Sequence, residues 1–261
     1  MITLRKRSLG TDFNPLDLTG KKILVTGASS GLGRAGAIYF SRLGAKLVIT
    51  GRNSERLNAT LSELLGSGHL AYLADVTDSG QIENLIEYGI ADGVKFSGCV
   101  HFTGIGKIFP LRALNETNVV ELMRTNYYSF IELTRQITKK KFFESGSIVA
   151  ISSFAAMEGE KGDTIYSASK AAIDASVRTL SIELAPRKIR VNSVRPGMIE
   201  TELSVGHKER MGEEAFNELV EKQLFGLGKP DDVSAMCAFL LSDASSFITG
   251  RHFYVDGGRF L

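Results

Sequence analysis

One short stretch of the chain constrains the fold more than any other. Residues 22–26 are an apolar run rich in β-branched side chains, the glycine-rich segment Gly27–Gly33 follows, and residues 34–43 have helical character. A strand that leads through glycines into a helix is the setting in which a dinucleotide phosphate binds at a helix N-terminus. The glycine spacing is G-x-x-x-G-x-G. From this pattern alone, a tight turn that binds nothing remains an alternative.

Apolar runs alternate with helical patterns along the rest of the chain. The further strands are predicted at 46–50, 69–74, 97–102, 147–151, 189–194 and 252–255, and the further helices at 54–65, 78–91, 114–143, 166–185 and 230–241. This alternation predicts an α/β fold, a doubly wound parallel sheet of about seven strands (Rossmann fold) in a single domain with right-handed crossovers. Residues 1–17 are predicted to be an N-terminal arm, and residues 18–261 the domain.

The composition excludes several classes of partner. Hydrophobic residues make up 43% of the 261 positions and the net charge is +2, so neither nucleic acid nor an anionic membrane is expected as a partner. No apolar stretch approaches the roughly 20 residues of a membrane span. The basic residues 5–7 precede no apolar run, so no secretory signal is expected. Cys99 and Cys237 lie in apolar surroundings without metal-ligand spacing, which predicts reduced, buried thiols in a cytoplasmic protein that binds no metal.

Several chemistry-bearing residues come directly after predicted strands. They are Gly27–Gly33, Asp75, Gly104, Ser153 and the pair 196–197. Ligands of open parallel sheets bind beyond the carboxyl ends of the strands, where the strand order reverses. We therefore expect these residues to converge on one site although they are scattered in sequence.

The residues after the second strand indicate which dinucleotide would bind. In dinucleotide folds an acidic residue at this place binds the ribose hydroxyls, and a nearby arginine accommodates a 2′-phosphate. Gly51 offers no carboxylate, whereas Arg52 offers a planar cation suited to phosphate. This favours NADP(H) over NAD(H), the alternative being that Arg52 is only a solvated loop charge.

Tyr166 and Lys170 are four residues apart in a predicted helix and would therefore lie on one face. An unperturbed phenol has a pKa of about 10, and a neighbouring ammonium lowers it. The pair could therefore transfer protons. A surface helix with an unrelated tyrosine and lysine is the alternative that the pair alone leaves open.

Taken together, these motifs resemble the short-chain dehydrogenase/reductase family over nearly the whole chain from about Leu18. Residues 26–33 resemble its cofactor loop, residues 196–201 its nicotinamide-side loop, and residues 255–258 its typical ending. Ser153 stands thirteen residues before Tyr166, as the family's catalytic serine does. The resemblance implies the catalytic residues Asn126, Ser153, Tyr166 and Lys170. It implies the cofactor-binding residues Gly27, Ser29, Ser30, Gly31, Leu32, Gly33, Arg52, Asp75, Val76, Gly104, Tyr166, Lys170, Pro196, Gly197, Ile199 and Thr201.

The resemblance also implies a mechanism, namely hydride transfer between nicotinamide C4 and a carbonyl or alcohol carbon. Tyr166 would act as general acid or base, and Ser153 would hold the substrate oxygen. Lys170 would lower the pKa of Tyr166 and bind the nicotinamide ribose. Asn126 would lie at a break in its helix and hold a water that links Lys170 to solvent.

One segment departs from the family pattern. The family usually has Asn-Asn-Ala-Gly after the fourth strand, and here the residues are His101-Phe102-Thr103-Gly104. The usual asparagine ties the central sheet together and borders the adenosine pocket, and Phe102 cannot make those hydrogen bonds. Either the neighbouring backbone finds another partner or the pocket is remodelled. His101 is expected to belong to the strand end rather than to the catalytic group.

The substrate remains open at this level. Residues 198–228 should form a substrate lid with Phe225 and Leu227 as its apolar wall, and residues 154–164 should line the opposite side. A 3-oxoacyl-thioester reductase competes with a reductase of sterols, sugars or small ketones. The rival functions are a catalytically silent nucleotide-binding scaffold and a sugar-nucleotide epimerase or dehydratase, which has a longer C-terminal substrate domain.

The family commonly forms homodimers or homotetramers through the helices of Asn126 and Tyr166 and the last strand, and the tail 260–261 could be buried in such a contact.

Overall fold

The computed structural model describes residues 14–259, except for the side chains of His207 and Arg210, and within them seven strands form one parallel sheet. The strand order is β3-β2-β1-β4-β5-β6-β7, which confirms the predicted doubly wound topology. The strands are β1 Lys22–Thr26, β2 Lys46–Gly51, β3 Leu70–Leu73, β4 Phe96–His101, β5 Phe143–Ile151, β6 Ile189–Pro196 and β7 His252–Val255.

Helices cover both faces of this sheet. They are α1 Gly31–Arg42, α2 Ser54–Ser62, α3 Ser79–Gly89, α4 Glu116–Met123, α5 Ser129–Ile137, α6 Thr164–Leu184, α7 Glu202–Met211, α8 Glu213–Glu221 and α9 Pro230–Leu241. Side chains of α1, α2 and α9 belong to one hydrophobic core, and side chains of α3, α5 and α6 belong to a second core on the other face.

The strand β1 shows why the apolar runs form a central sheet. All five of its residues are buried. Successive side chains of a strand point to opposite faces, so Ile23 and Val25 enter the core under α1 and α9 whereas Leu24 enters the core under α3 and α6. A strand covered on both sides needs apolar residues at every position, which is the pattern that the sequence shows.

The long helical stretch predicted over residues 114–143 is helical from Glu116 to Ile137, but it is neither uniform nor as long as predicted. It consists of α4, a π-helical segment Arg124–Tyr128 and α5, which ends at Ile137. The N–H of Ser129 donates to the carbonyl of Arg124, five residues earlier, and this bond widens the helix at that turn. Phe142 and Phe143 are fully buried apolar residues. In the sequence they continue the apolar pattern of the helix, which is why the predicted helix is too long, although Phe143 already begins β5.

The ends of the chain are described only in part. The predicted arm lies largely outside the described residues, as do Phe260 and Leu261. Leu18 is fully buried in the core under α1 and its N–H donates to the carbonyl of Leu43 at 2.9 Å, so the packed part of the chain includes residue 18. The boundary between arm and domain stays a prediction.

Cys99 and Cys237 are both buried free thiols, which confirms their predicted state. Burial raises the pKa of the Cys99 thiol to about 12 and raises that of Cys237 as well. Neither thiol is therefore reactive near neutral pH.

None of the helices within residues 14–259 has the length and apolar character needed to span a bilayer. The same residues contain no group of three or more potential metal ligands.

Candidate active site

The glycine-rich loop leads directly into α1, which begins at Gly31 rather than at Arg34. A Cβ on Gly33 would lie 2.2 Å from the carbonyl oxygen of Gly27, and Gly27 itself has a φ of +67°. Both positions therefore require glycine. The N-cap residue Ser30 makes no side-chain hydrogen bond to the first turn of α1, so the N–H groups there stay available. This combination fits the pyrophosphate of a dinucleotide.

This loop lies where the strand order reverses. β1 has β2 on one side and β4 on the other, and Thr26 at the end of β1 lies opposite His101 at the end of β4. A cavity of about 540 Å³ opens beyond these strand ends. It brings together nine of the predicted site residues, namely Leu32, Gly104, Ser153, Tyr166, Lys170, Pro196, Gly197, Ile199 and Thr201.

The predicted adenosine-side residues lie beyond this cavity. The Arg52 side chain is 68% exposed and its Nη1 is 3.9 Å from Oδ2 of Asp75. The other carboxylate oxygen of Asp75 accepts a hydrogen bond from the N–H of Thr77 at 2.9 Å, and Val76 is buried. Ser29, Ser30 and Gly31 line a neighbouring open cleft that also contains Arg34 and Arg56. The surroundings of the loop are therefore rich in guanidinium groups.

Tyr166 and Lys170 lie one turn apart on α6 and face the cavity together. The Lys170 Nζ donates a hydrogen bond of 2.9 Å to the carbonyl of Ile151 and lies 5.7 Å from the centroid of the Tyr166 ring. The Ser153 hydroxyl is hydrogen-bonded to the Tyr166 phenol. Three groups that can move or hold a proton are thus adjacent at one end of the cavity.

Burial determines the protonation states of this pair. It raises the pKa of Tyr166 to about 12, an effect that the Ser153 hydrogen bond opposes and the Asp163 charge increases. Burial lowers the pKa of Lys170 to about 8, with the Asp174 carboxylate acting in the opposite direction. Desolvation therefore keeps the pKa of the phenol above its ordinary value. The role predicted for Lys170, to lower this pKa, stays a prediction. The phenol stays protonated at neutral pH, the form that can donate a proton.

Asn126 lies in the π-helical segment and is fully buried behind the cavity rather than in its wall. Its Oδ1 accepts from the N–H of Ile105 at 2.8 Å, and its Nδ2 donates to the Ile105 carbonyl and to Ser169 Oγ, both at 3.0 Å. The amide therefore fastens the loop after β4 to α6. The expected break in the helix is present, and the water-holding role stays a prediction.

His101 replaces the missing asparagine as a tie between strands. Thr26 Oγ1 accepts from the N–H and the hydroxyl of Thr103, so its own proton points to His101 Nδ1 at 3.1 Å. The proton of the ring is then on Nε2, which donates to Ser129 Oγ at 3.1 Å. Burial, together with the charge of Lys170, lowers the pKa of His101 to about 3. This neutral histidine belongs to the strand end, as expected.

Phe102 lies in the wall of the cavity. Its ring lines the cavity and stacks against Phe40, with centroids 6.4 Å apart. A Cβ on Gly36 would lie 2.7 Å from this ring, so α1 can approach only because residue 36 is glycine. Phe102 is therefore part of the cavity wall, and the two consequences foreseen for the departure from the family pattern stay predictions.

The apolar wall of the outer cavity does not contain the predicted residues. Phe225 is 87% exposed and Leu227 is 37% exposed. The N–H of Phe225 donates to the carbonyl of Gly257, and neither side chain lines the cavity. The wall is formed instead by Ile105, Ile108, Met198, Leu203, Met211 and Leu219. Ala215 and Leu219 lie one turn apart on α8 and both line the cavity, and this spacing is the signal that could have identified part of the wall.

The opposite side of the outer cavity is formed by the loop after β5, as predicted. Phe154, Glu160, Lys161 and Asp163 of this loop line the cavity. Burial raises the pKa of Asp163 to about 6, and the charge of Glu160 adds to the rise. The outer cavity is thus lined both by apolar side chains and by charged side chains of both signs.

Comparisons with known proteins agree with this geometry. Residues 27–259 match the family model described as "Enoyl-(Acyl carrier protein) reductase". A 3-oxoacyl-[acyl-carrier-protein] reductase of Thermotoga maritima is 33% identical over 244 residues, which cover 92% of this chain and 98% of the relative. A crystal structure of a dehydrogenase/reductase from Sinorhizobium meliloti superposes with a TM-score of 0.87 at 30% identity, covering 95% and 98%. An actinorhodin polyketide ketoreductase variant crystallised with NADPH gives a TM-score of 0.86 at 27% identity, covering 92% and 97%.

Proposed function

This chain belongs to the short-chain dehydrogenase/reductase family, and on that premise we propose that it transfers a hydride between a nicotinamide cofactor and a carbonyl or alcohol carbon. Proteins of this family are oxidoreductases that act on CH–OH and C=O groups. The observation that carries the proposal is the single cavity that joins the end of the glycine loop at Leu32 to the group of Ser153, Tyr166 and Lys170.

The residues present fit such a cofactor. Gly27–Gly33 and the first turn of α1 would hold the pyrophosphate, residues 196–201 would hold the nicotinamide side, and Lys170 would bind the nicotinamide ribose. When bound, the nicotinamide supplies or accepts the hydride. Ser153 would hold the substrate oxygen, and Tyr166 would give that oxygen a proton during reduction or remove it during oxidation.

The preference for NADP(H) rests on Arg52, whose exposed guanidinium is available to a 2′-phosphate. We expect that Arg52→Ala raises the KM for NADPH by about tenfold and changes the KM for NADH by less than about twofold, since a charge-assisted contact contributes roughly 1.4 kcal/mol or more. Steady-state kinetics with both cofactors checks this. Equal effects on NADPH and NADH would show that Arg52 binds no 2′-phosphate.

The pKa of Lys170 predicts a pH dependence. Its ammonium is needed to donate to the ribose, and this cation is present below the pKa of about 8 and lost above it. We expect kcat/KM for NADPH, which reports the free enzyme, to be level between about pH 6 and 7 and to fall about tenfold per pH unit well above pH 8. A pH profile measures this, and a fall that begins only near pH 10 would contradict the assignment.

A 3-oxoacyl thioester, a small ketone or a sugar is the proposed substrate class. The hydroxyls of Ser153 and Tyr166 are suited to a carbonyl oxygen, and two of the relatives are named for 3-oxoacyl or ketone reduction. Between β6 and α9 the chain has room only for α7 and α8, which disfavours an epimerase with a large substrate domain.

A panel of ketones, 3-oxoacyl thioesters and alcohols, assayed with NADPH and NADH by the absorbance of the reduced cofactor, tests the proposed function. We expect cofactor oxidation with at least one carbonyl compound and a stoichiometric alcohol product. Cofactor binding without turnover of any member would favour the catalytically silent scaffold.

Assembly into a homodimer or homotetramer remains a prediction. Val120 on α4 and Ile182 on α6 are exposed large hydrophobic residues on the helices predicted to form subunit contacts, and Phe247, in the connection before β7, is a third exposed one. These positions support that prediction. Cytoplasmic location likewise stays a prediction.

A further inference from the structure

Arg259, just beyond β7, is a buried arginine that the proposed reaction does not use. Its side chain is 1% exposed. Its Nε and Nη2 donate to the two carboxylate oxygens of Glu158 at 2.7 and 3.0 Å, and Nη2 also donates to Glu160 at 2.7 Å. Its Nη1 donates to the carbonyl of Leu219 at 3.0 Å, and the guanidinium lies 4.0 Å from the centroid of the Phe154 ring.

The partners of Arg259 belong to two different walls of the substrate cavity. Phe154 and Glu160 are in the loop that follows Ser153, whereas Leu219 is in α8, and all three line the cavity. Lys222, which follows α8, adds a second link between the walls because its Nζ is 2.8 Å from Glu160. The guanidinium therefore holds the two walls together from outside the cavity.

We propose that Arg259 is a specificity-determining residue that holds two walls of the substrate cavity together and so limits the length of the substrate. This inference rests on the proposed function. The guanidinium joins residues 154–160 to α8, and these two segments must separate for a longer substrate to pass between them. Arg259 itself does not touch the reacting atoms.

An arginine is required for this contact. Its planar fork binds a carboxylate with two parallel hydrogen bonds while its face stacks on an aromatic ring, and a lysine can do neither. Removing the buried guanidinium would leave Glu158 and Glu160 without their main counterion, and the two carboxylates would then repel each other. The hydrogen bonds from Arg259 also hold the pKa of Glu158 below its usual range, which agrees with a close ion pair.

The kinetic test uses straight-chain ketones of increasing length with saturating NADPH. For Arg259→Ala we expect the ratio of kcat/KM between the longest and the shortest ketone to rise by about tenfold or more, the scale of a lost buried ion pair. The KM for NADPH should change by less than about twofold, because the Arg259 side chain contacts residues 154–160 and Leu219 and none of the predicted cofactor-binding residues. Guanidinium ion added to Arg259→Ala should partly restore the wild-type ratio of kcat/KM values. The Arg259→Lys substitution should not restore it.

Arg251→Ala is the matched control, since Arg251 is an exposed arginine directly before β7 and lies outside the cavity. It should leave the selectivity ratio unchanged. An unchanged ratio in Arg259→Ala, or the same loss of kcat/KM for every ketone, would overturn the proposal.

Hydrogen exchange of the protein without ligands tests the contact separately from the activity. Peptides covering 154–163 and α8 should exchange about tenfold faster in Arg259→Ala, while peptides of the sheet keep their wild-type rates. Faster exchange in all peptides, or wild-type exchange rates in both 154–163 and α8, would overturn the proposal. If the wild type reduces no carbonyl compound, the proposed function fails and the exchange measurement still decides whether the contact exists. Arg259→Lys replaces Arg259→Ala in both measurements if the alanine variant does not fold.

Discussion

Replacing Tyr166 with phenylalanine should lower kcat by at least about 100-fold, the scale of a lost general acid. The phenol is protonated at neutral pH because its pKa is raised to about 12, and it is hydrogen-bonded to Ser153 in the cavity. Phenylalanine keeps the ring that packs against the hydrophobic cluster of Phe154, Ala155, Met198 and Phe216, so the melting temperature should change little. Turnover with saturating NADPH and thermal unfolding measure the two quantities.

Tyr127→Phe is the matched control for this substitution. The Tyr127 hydroxyl contacts Ser176 Oγ at 3.1 Å, and neither residue lines the cavity. The substitution Tyr127→Phe also removes a phenol oxygen, but from a hydrogen bond outside the site, so kcat should stay near the wild-type value. A Tyr166→Phe variant that turns over almost normally would refute the assignment of the general acid.

Replacing Lys170 with methionine should affect activity and stability in opposite directions. We expect kcat/KM to fall by about 100- to 10,000-fold, because the variant can neither bind the ribose nor compensate the charge on Tyr166 after proton donation. Stability should be unchanged or higher. The depression of the Lys170 pKa from 10.5 to about 8 means that burying the cation disfavours folding by about 3 kcal/mol at neutral pH.

The pH dependence of the free energy of unfolding checks whether burial of the Lys170 cation destabilises the fold. The penalty is complete below pH 8, where Lys170 is charged in both the folded and the unfolded protein, and it is relieved as the pH rises toward 10.5. Denaturant unfolding at neutral pH compares wild type with Lys170→Met, and Lys161→Met, an exposed lysine of the same cavity wall, is the control. A Lys170→Met variant that is active, or inactive only because it is unfolded, would contradict this role.

The sequence was sufficient to predict the sheet and the inner part of the site. A parallel strand covered on both faces must be apolar throughout, as β1 is, and a residue that directly follows such a strand must lie at one edge of the sheet. The positions of Gly27, Gly104 and Ser153 follow from these two rules. The pair on α6 follows from helical periodicity.

The outer cavity could not be predicted in this way, because its contacts join segments that are far apart in sequence. Arg259 and Glu158 are 101 residues apart, and no local pattern indicates that they meet. The substitution at His101 was visible in the sequence, but its partner Ser129 depends on how α5 packs against β4. The pKa of Tyr166 depends on the degree of burial, which residue spacing does not determine.

A crystal structure of the protein with saturating NADP⁺ is the most direct test of the proposed site, since it does not require the natural substrate. We expect the pyrophosphate at the first turn of α1 and the nicotinamide ring in the cavity beside Ser153 and Tyr166. A coenzyme bound elsewhere on the protein, or a phenol of Tyr166 directed away from the ring, would contradict it.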